Sequence, residues 1–205
     1  MTMAVMNKAG ALYQYGQYSQ YGIQDRQTGF GSSTDDTETA DKIVTVTTDT
    51  TDTTARITSV TYSDEAIAEL IYMIEEEKLA GDVYEYFYDL YGLPIFENIA
   101  ESEDRHFEAL IKQAEKLGID VDDFVFAEAG SFENEELQEL YDSLIEMGSE
   151  SLTAALEVGV IIEEKDMIDI AAAIDNVEGT QLASVYENLL EGSVYHLDAF
   201  EALLG

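Results

Sequence analysis

The sequence predicts an all-α fold, a bundle of four long helices arranged as two hairpins, and three observations point there. Apolar residues make up 46% of the 205-residue chain, enough for a sizeable core. The chain has one proline, Pro94, placed where a turn is expected, so long helices can run uninterrupted. From Ser63 onward, apolar residues recur at helical spacing through four long segments, as in helices with one buried face.

Residues 1–62 read as a polar tail, set apart from a bundle over residues 63–205. YQYGQYSQYG, at 13–22, is a low-complexity run, and a Thr/Asp-rich stretch follows from Thr34 to Thr54. Neither has a helical apolar period or the aliphatic mass of a core, so this tail is expected to be mostly disordered. The β-branched segments IVTVTT and ITSVTY offer short strands as the alternative.

The first helix opens at Ser63, an N-cap followed by Asp64 and Glu65 in the first turn. Its stripe runs Ile67, Leu70, Ile74, Glu77, Gly81, Tyr84, Tyr88, Tyr91. Gly92-Leu93-Pro94 ends it, and Pro94 suits the first turn of the second helix. That helix carries Phe96, Ile99, Glu103, His106, Leu110, Ala114 and Leu117, and Gly118 stops it. A long connection follows, with a short helix expected over 134–148. The third long helix is expected from about Ser151 to Val177. The fourth, from about Thr180 to Leu204, has the stripe Leu182, Leu189, Ser193, His196, Phe200, Leu203.

The two hairpins repeat one another. FENIAESEDRHFEAL in the second helix and YENLLEGSVYHLDAF in the fourth share [FY]-E-N-[IL]-x-E-x4-H-x2-A without a gap. Aligning the EEK triplets of IEEEKLAGDVY and IIEEKDMIDIA pairs Glu77 with Glu164. The chain's two histidines, His106 and His196, thus occupy the same place in each repeat.

At mid-height, polar residues interrupt each stripe: Glu77, Glu103 with His106, Glu164, and Ser193 with His196. Glu103 and His106, three apart, can reach one point from adjacent turns. Glu75, Glu76 and Glu163 fall off the stripes and are expected in solvent. A buried carboxylate without a partner is strongly unfavourable, so three glutamates and two histidines in a core call for a counter-charge. Metal ions supply it economically, and mixed carboxylate and imidazole donors suit iron or manganese. A metal-free, hydrogen-bonded polar core is the alternative.

Glu77-x-x-Ala80-x-x-x-Tyr84 and Glu103-x-x-His106 resemble half of a rubrerythrin-type di-iron site. IEEEKLAGDVY, GLPIFENIAESEDRH and VYENLLEGSVYHLDAF resemble, more narrowly, an uncharacterised family of the ferritin-like superfamily, over about residues 64–204. The resemblance implies a ferritin-like four-helix bundle and, as ligands to one or two Fe or Mn ions, Glu77, Glu103, His106, Glu164 and His196. Tyr84 and Ser193 would stand beside them, with a core tyrosine whose hydroxyl is satisfied as the alternative for Tyr84. Ser193 departs from the pattern, because it occupies the place of a glutamate.

Charge and composition narrow the functions. The chain has 44 acidic and 9 basic residues, net −35, and residues 1–62 contribute only −3 of it. Nucleic acid and anionic membranes are disfavoured as partners by repulsion. Such charge fits a salt-rich cytoplasm, as in halophilic proteins, or a surface that gathers cations. Met1 to Ala11 shows no secretory apolar run, so the cytoplasm is favoured, with export left open. Without cysteine there is no thiolate metal site or thiol nucleophile, and no phosphate-binding glycine motif is present. Three expectations remain: an Fe or Mn protein that oxidises Fe(II) or reduces peroxide, a metal-buffering protein without turnover, and a degenerate metal-free bundle serving as a scaffold. Homo-oligomers are compatible with each.

Overall fold

The computed structural model describes residues 60–205, which form a helical bundle with six helices and no strand. The tail expected over 1–62, with its alternative of strands, lies outside the described residues except for 60–62, which carry no regular structure.

Helix α1 spans Asp64–Tyr91, capped by Ser63, whose Oγ accepts the Ala66 N–H at 3.1 Å. Gly92, at φ 64°, ends it in the left-handed conformation and donates its N–H to Tyr88 O. Pro94 opens α2, Pro94–Lys116. The crossover holds the one-turn α3, Asp122–Val125, and α4, Glu135–Gly148, capped by the Asn134 side chain. Ser151 caps α5, Leu152–Asn176, and Thr180 caps α6, Gln181–Leu204. All four long helices therefore begin and end within about two residues of where the sequence places them.

Helix α1 packs along α2 and α5 along α6, while α1 also meets α5 and α2 meets α6. The four long helices thus enclose one interior, and α4 lies against α1 and α5 on the outside. Burial follows the i+3/i+4 pattern on α2, with Phe96, Ile99, Glu103, Leu110 and Ala114 inside. Helix α1 is buried around much more of its circumference, because α2, α5 and α4 cover it from three sides.

The interior holds two apolar clusters. One contains Leu70, Met73, Ile74, Leu110, Ile170, Leu182 and Leu189. The other contains Leu79, Val83, Phe87, Phe96, Ile99, Ile162 and Phe200. Between them, on every long helix, lie buried polar residues. Glu75, Glu76 and Glu77 separate Ile74 from Leu79, and Glu103 lies between Ala100 and Leu110. Glu163 and Asp166 fall between Ile162 and Ile170, and Ser193 and His196 between Leu189 and Phe200. A polar layer therefore crosses the bundle at mid-height. It costs stability unless every charge in it finds a partner.

Candidate metal centre

The sequence placed Glu75, Glu76 and Glu163 in solvent, and the structure corrects all three, at 5%, 2% and 0% exposure. Successive residues of a helix point about 100° apart, so the EEE run on α1 faces three ways. Glu75 turns to the crossover, where its carboxylate accepts the N–H groups of Glu133, at 2.5 Å, and Asn134, at 3.1 Å. Glu76 faces α5 and is ion-paired with Lys165, which also binds Asp169 at 2.5 Å and donates to Tyr72 OH at 2.7 Å. Glu77 faces the interior.

There Glu77 Oε2 lies 3.2 Å from His106 Nδ1, its hydrogen-bond partner. Glu103 stands at the centre. One of its oxygens is 2.8 Å from His106 Nδ1 and the other 2.8 Å from His196 Nδ1. Glu163 Oε2 is 3.5 Å from His196 Nδ1, and Glu163 Oε1 accepts the Tyr84 hydroxyl at 2.6 Å. Two groups result, sharing one carboxylate: Glu77, Glu103 and His106, and Glu103, Glu163 and His196. Within each, one donor atom per residue lies within 4.8 Å of the others. The imidazoles stack at 5.7 Å between centroids.

Glu164, expected as a ligand, is half-buried on α5 and outside both groups, and burial and the Glu201 charge raise its pKa. Glu163, one residue earlier, occupies the position expected of it. Ser193 is fully buried and donates to Leu189 O at 3.2 Å, so it presents no carboxylate. Gly192 beside it makes room for His106: a Cβ there would meet the ring's Cε1 and Nε2 at 2.7 Å. Tyr84 contacts the group through Glu163.

The layer also holds a residue the sequence reading missed. Asp166 is 0% exposed, one turn beyond Glu163 on α5, and neither carboxylate oxygen has a hydrogen-bond partner. Its signal was the period of α5 itself: Ala155, Gly159, Ile162, Asp166, Ile170 and Ala173 are spaced three and four apart, and all are buried.

Electrostatics hold this cluster together through protons when no ion is present. Burial opposes charge on His106, but the Glu103 and Glu77 carboxylates overcome it and raise the imidazole to about 10. His196 rises likewise to about 9, against burial, through Glu103 and Glu163. Burial would push Glu103 up, yet the two imidazoles bring it down to about 2. Burial first, then the Glu103 charge, raises Glu163 to about 7, and burial lifts Glu77 well above the usual carboxylate range.

The two 2.8 Å approaches to Glu103 are close enough for ion pairs, but neither is aligned as a hydrogen bond. Glu77 Oε1, Glu163 Oε2 and His196 Nδ1 are likewise buried without hydrogen-bond partners. Beyond the Glu77–His106 and Tyr84–Glu163 hydrogen bonds, the donor atoms crowd together without satisfying one another. Ligands at about 2.1 Å from a shared ion, at right angles, stand about 3 Å apart, close to the spacing seen here.

Residues 66–204 match the family described as Uncharacterized protein domain (DUF2202). The uncharacterized protein MJ0754 of Methanocaldococcus jannaschii is 42% identical over 142 residues, covering 69% of this chain and 76% of that protein. A crystal structure of the hypothetical protein MJ0754, from Methanococcus jannaschii DSM 2661, matches with a TM-score of 0.68 at 39% identity. It spans 73% of this chain and 85% of that one. With well over half of its length matched, the chain belongs to the DUF2202 family.

Proposed function

We propose that the protein binds iron or manganese in its interior and that Glu77, Glu103, His106, Glu163 and His196 hold the ions. The observation that carries this reading is Glu103. It is fully buried and offers one oxygen to each imidazole at 2.8 Å without a hydrogen bond to either. A carboxylate so placed can serve an ion on each side. Oxygen donors with one imidazole per group suit iron or manganese over softer metals.

The same reading makes the architecture ferritin-like, with the two hairpins as a duplicated pair. Its support is the order of the long helices around the interior, α1, α2, α6, α5, together with the [FY]-E-N repeat on α2 and α6. In that superfamily, glutamates from two helices and Glu-x-x-His from the other two build the site. An iron or manganese ion held there would supply one-electron chemistry toward Fe(II), oxygen or peroxide. The protein's part is to orient the donors. Tyr84 fixes Glu163 by donating to Oε1, leaving Oε2 toward His196. Gly192 leaves space for the His106 ring. The two apolar clusters flank the layer above and below and bury its carboxylates. Metal buffering without turnover is the second reading, favoured by Ser193, which leaves α6 without a carboxylate in the layer.

Elemental analysis of protein purified without chelator, in high salt, tests the proposal. One or two iron or manganese ions per chain are expected, lost in Glu163→Gln and His106→Ala and retained in Glu164→Gln. Folded wild-type protein that takes up neither Fe(II) nor Mn(II) on reconstitution would leave only the scaffold reading. Oxygen and peroxide consumption by the loaded protein then separates turnover from storage.

A further inference from the structure

Asp166 is the buried acid the five-residue set leaves unexplained. Each other carboxylate of the polar layer outside that set has an answer: backbone N–H groups for Glu75 and the Lys165 ammonium for Glu76. Asp166 has neither. It is fully buried, both oxygens lack partners, and the groups that act on it most strongly are the carboxylates of Glu77, Glu76, Glu163 and Glu103. It stands one turn beyond Glu163 on the buried face of α5, between Ile162 and Ile170 in the same polar layer, with its oxygens outside both donor groups. A buried carboxylate surrounded by others persists only with a proton or a cation between them.

The helices show an exchange. Helix α2 carries Glu103-x-x-His106, whereas α6 carries Ser193-x-x-His196 and so lacks a carboxylate. Helix α1 carries Glu77-x-x-Ala80, whereas α5 carries Glu163-x-x-Asp166 and so has one extra. Helices α5 and α6 are packed against each other, so the acid absent from one reappears on its neighbour in the same buried layer. Counting Asp166, the buried carboxylates of the layer that neither backbone N–H groups nor Lys165 answer are Glu77, Glu103, Glu163 and Asp166. Their four negative charges equal those of two divalent cations. Without Asp166, two such ions would leave a net positive charge in a buried layer.

We infer that Asp166 is a metal-binding carboxylate that takes the place of the one absent at Ser193, completing four carboxylates and two imidazoles around a pair of divalent ions. This rests on the metal-binding reading above and adds the sixth ligand and the number of ions.

The test is Mn(II) binding to the full, metal-free chain, followed by equilibrium dialysis and elemental analysis without any activity assay. Wild-type protein should take up two Mn(II) per chain. Asp166→Asn, nearly isosteric, should keep one and bind the second at least about 100-fold more weakly, more than the loss of a supporting hydrogen bond costs. Glu164→Gln, on the same helix, should keep both. Two ions bound by Asp166→Asn with wild-type affinity would overturn the assignment, leaving Asp166 a protonated acid while metal binding by the other five stands. Wild-type protein that binds no Mn(II) or Fe(II) would instead remove the metal reading itself. Should Asp166→Asn fail to fold, anomalous diffraction from Mn(II)-loaded wild-type crystals decides. An ion within bonding distance of the Asp166 carboxylate supports the assignment, and ions bonded only to the glutamates and histidines overturn it.

Discussion

At the residue scale, what each buried polar group touches decides whether it costs or contributes stability. Tyr84 and Tyr186 are both fully buried, and they differ in this respect. Tyr84 donates its hydroxyl to Glu163 at 2.6 Å, so the phenol supports a charged neighbour. The Tyr186 hydroxyl has no hydrogen-bond partner among the described residues, and burial raises its pKa. Tyr186 opens the repeat motif on α6 at the place where Phe96 opens it on α2, and Phe96 is also fully buried. A ring without a hydroxyl therefore suits this position. Tyr186→Phe should be neutral or stabilise by up to about 2 kcal/mol, because it removes a desolvated oxygen and opens only a small void. Urea unfolding of the metal-free protein measures it, and a loss of more than about 1 kcal/mol would mean that the hydroxyl is satisfied.

At the scale of elements, helix ends follow local chemistry while the face each helix buries follows its neighbours. Glu75 shows the difference. Alone on the sequence it is one member of an acidic run. In the bundle it accepts two backbone N–H groups just before α4 and so anchors the crossover. Lys78, one turn on, donates to Glu128 O at 3.0 Å and lies over the Phe132 ring, and Asp82 accepts the Gly130 N–H. Glu75→Ala should cost about 0.5–1.5 kcal/mol, for two part-buried amides that lose their acceptor, and speed hydrogen exchange at Glu133 and Asn134. Metal content should not change. The cap at Ser63, the helix starts near Asn134, Ser151 and Thr180, and the Gly92-Leu93-Pro94 break were legible because each depends on a few adjacent residues. His106, His196, Glu77 and Glu103 were legible because they interrupt regular stripes. Glu163 was not, because the EEK triplet aligned α5 by residue identity. That register matches Lys78–Asp82 with Lys165–Asp169, two outer ion pairs at 2.5 Å each. The triplet thus records the outward faces of α1 and α5, and their inward faces are offset by one residue. Only the spacing from Ala155 to Ala173 shows the buried face of α5, and Asp166 lies on it.

At the scale of the whole molecule, net charge and the polar layer together set the response to pH. No helix among the described residues is long and apolar enough to cross a membrane. Without metal, the folded layer holds protons that the unfolded chain would release. His106 and His196 rise from 6.5 to about 10 and about 9, so their stabilisation is full below about pH 6.5 and lost through about pH 9–10. Glu76 and Glu163, raised from 4.5 to about 7 chiefly by burial, lose theirs between those values. Glu103 runs the other way: lowered to about 2, it contributes above 4.5 and loses that as pH falls. Native protein therefore binds more protons than unfolded protein from about pH 5 to pH 9, and its stability should fall as pH rises through that range. Surface repulsion from a net charge of −35 has the same sign, so salt is the control. At about 1 M salt the screening length is only about 3 Å, which suppresses the exposed contribution and spares the buried one. Metal reverses the slope, because ions compete with those protons and bind more tightly as pH rises. Thermal melts at about pH 5, 7 and 9 in high salt, with and without Mn(II), should cross: the metal-free Tm falls while the stabilisation by Mn(II) grows. Parallel curves would place any bound Mn(II) on the acidic surface, outside the layer that holds the protons.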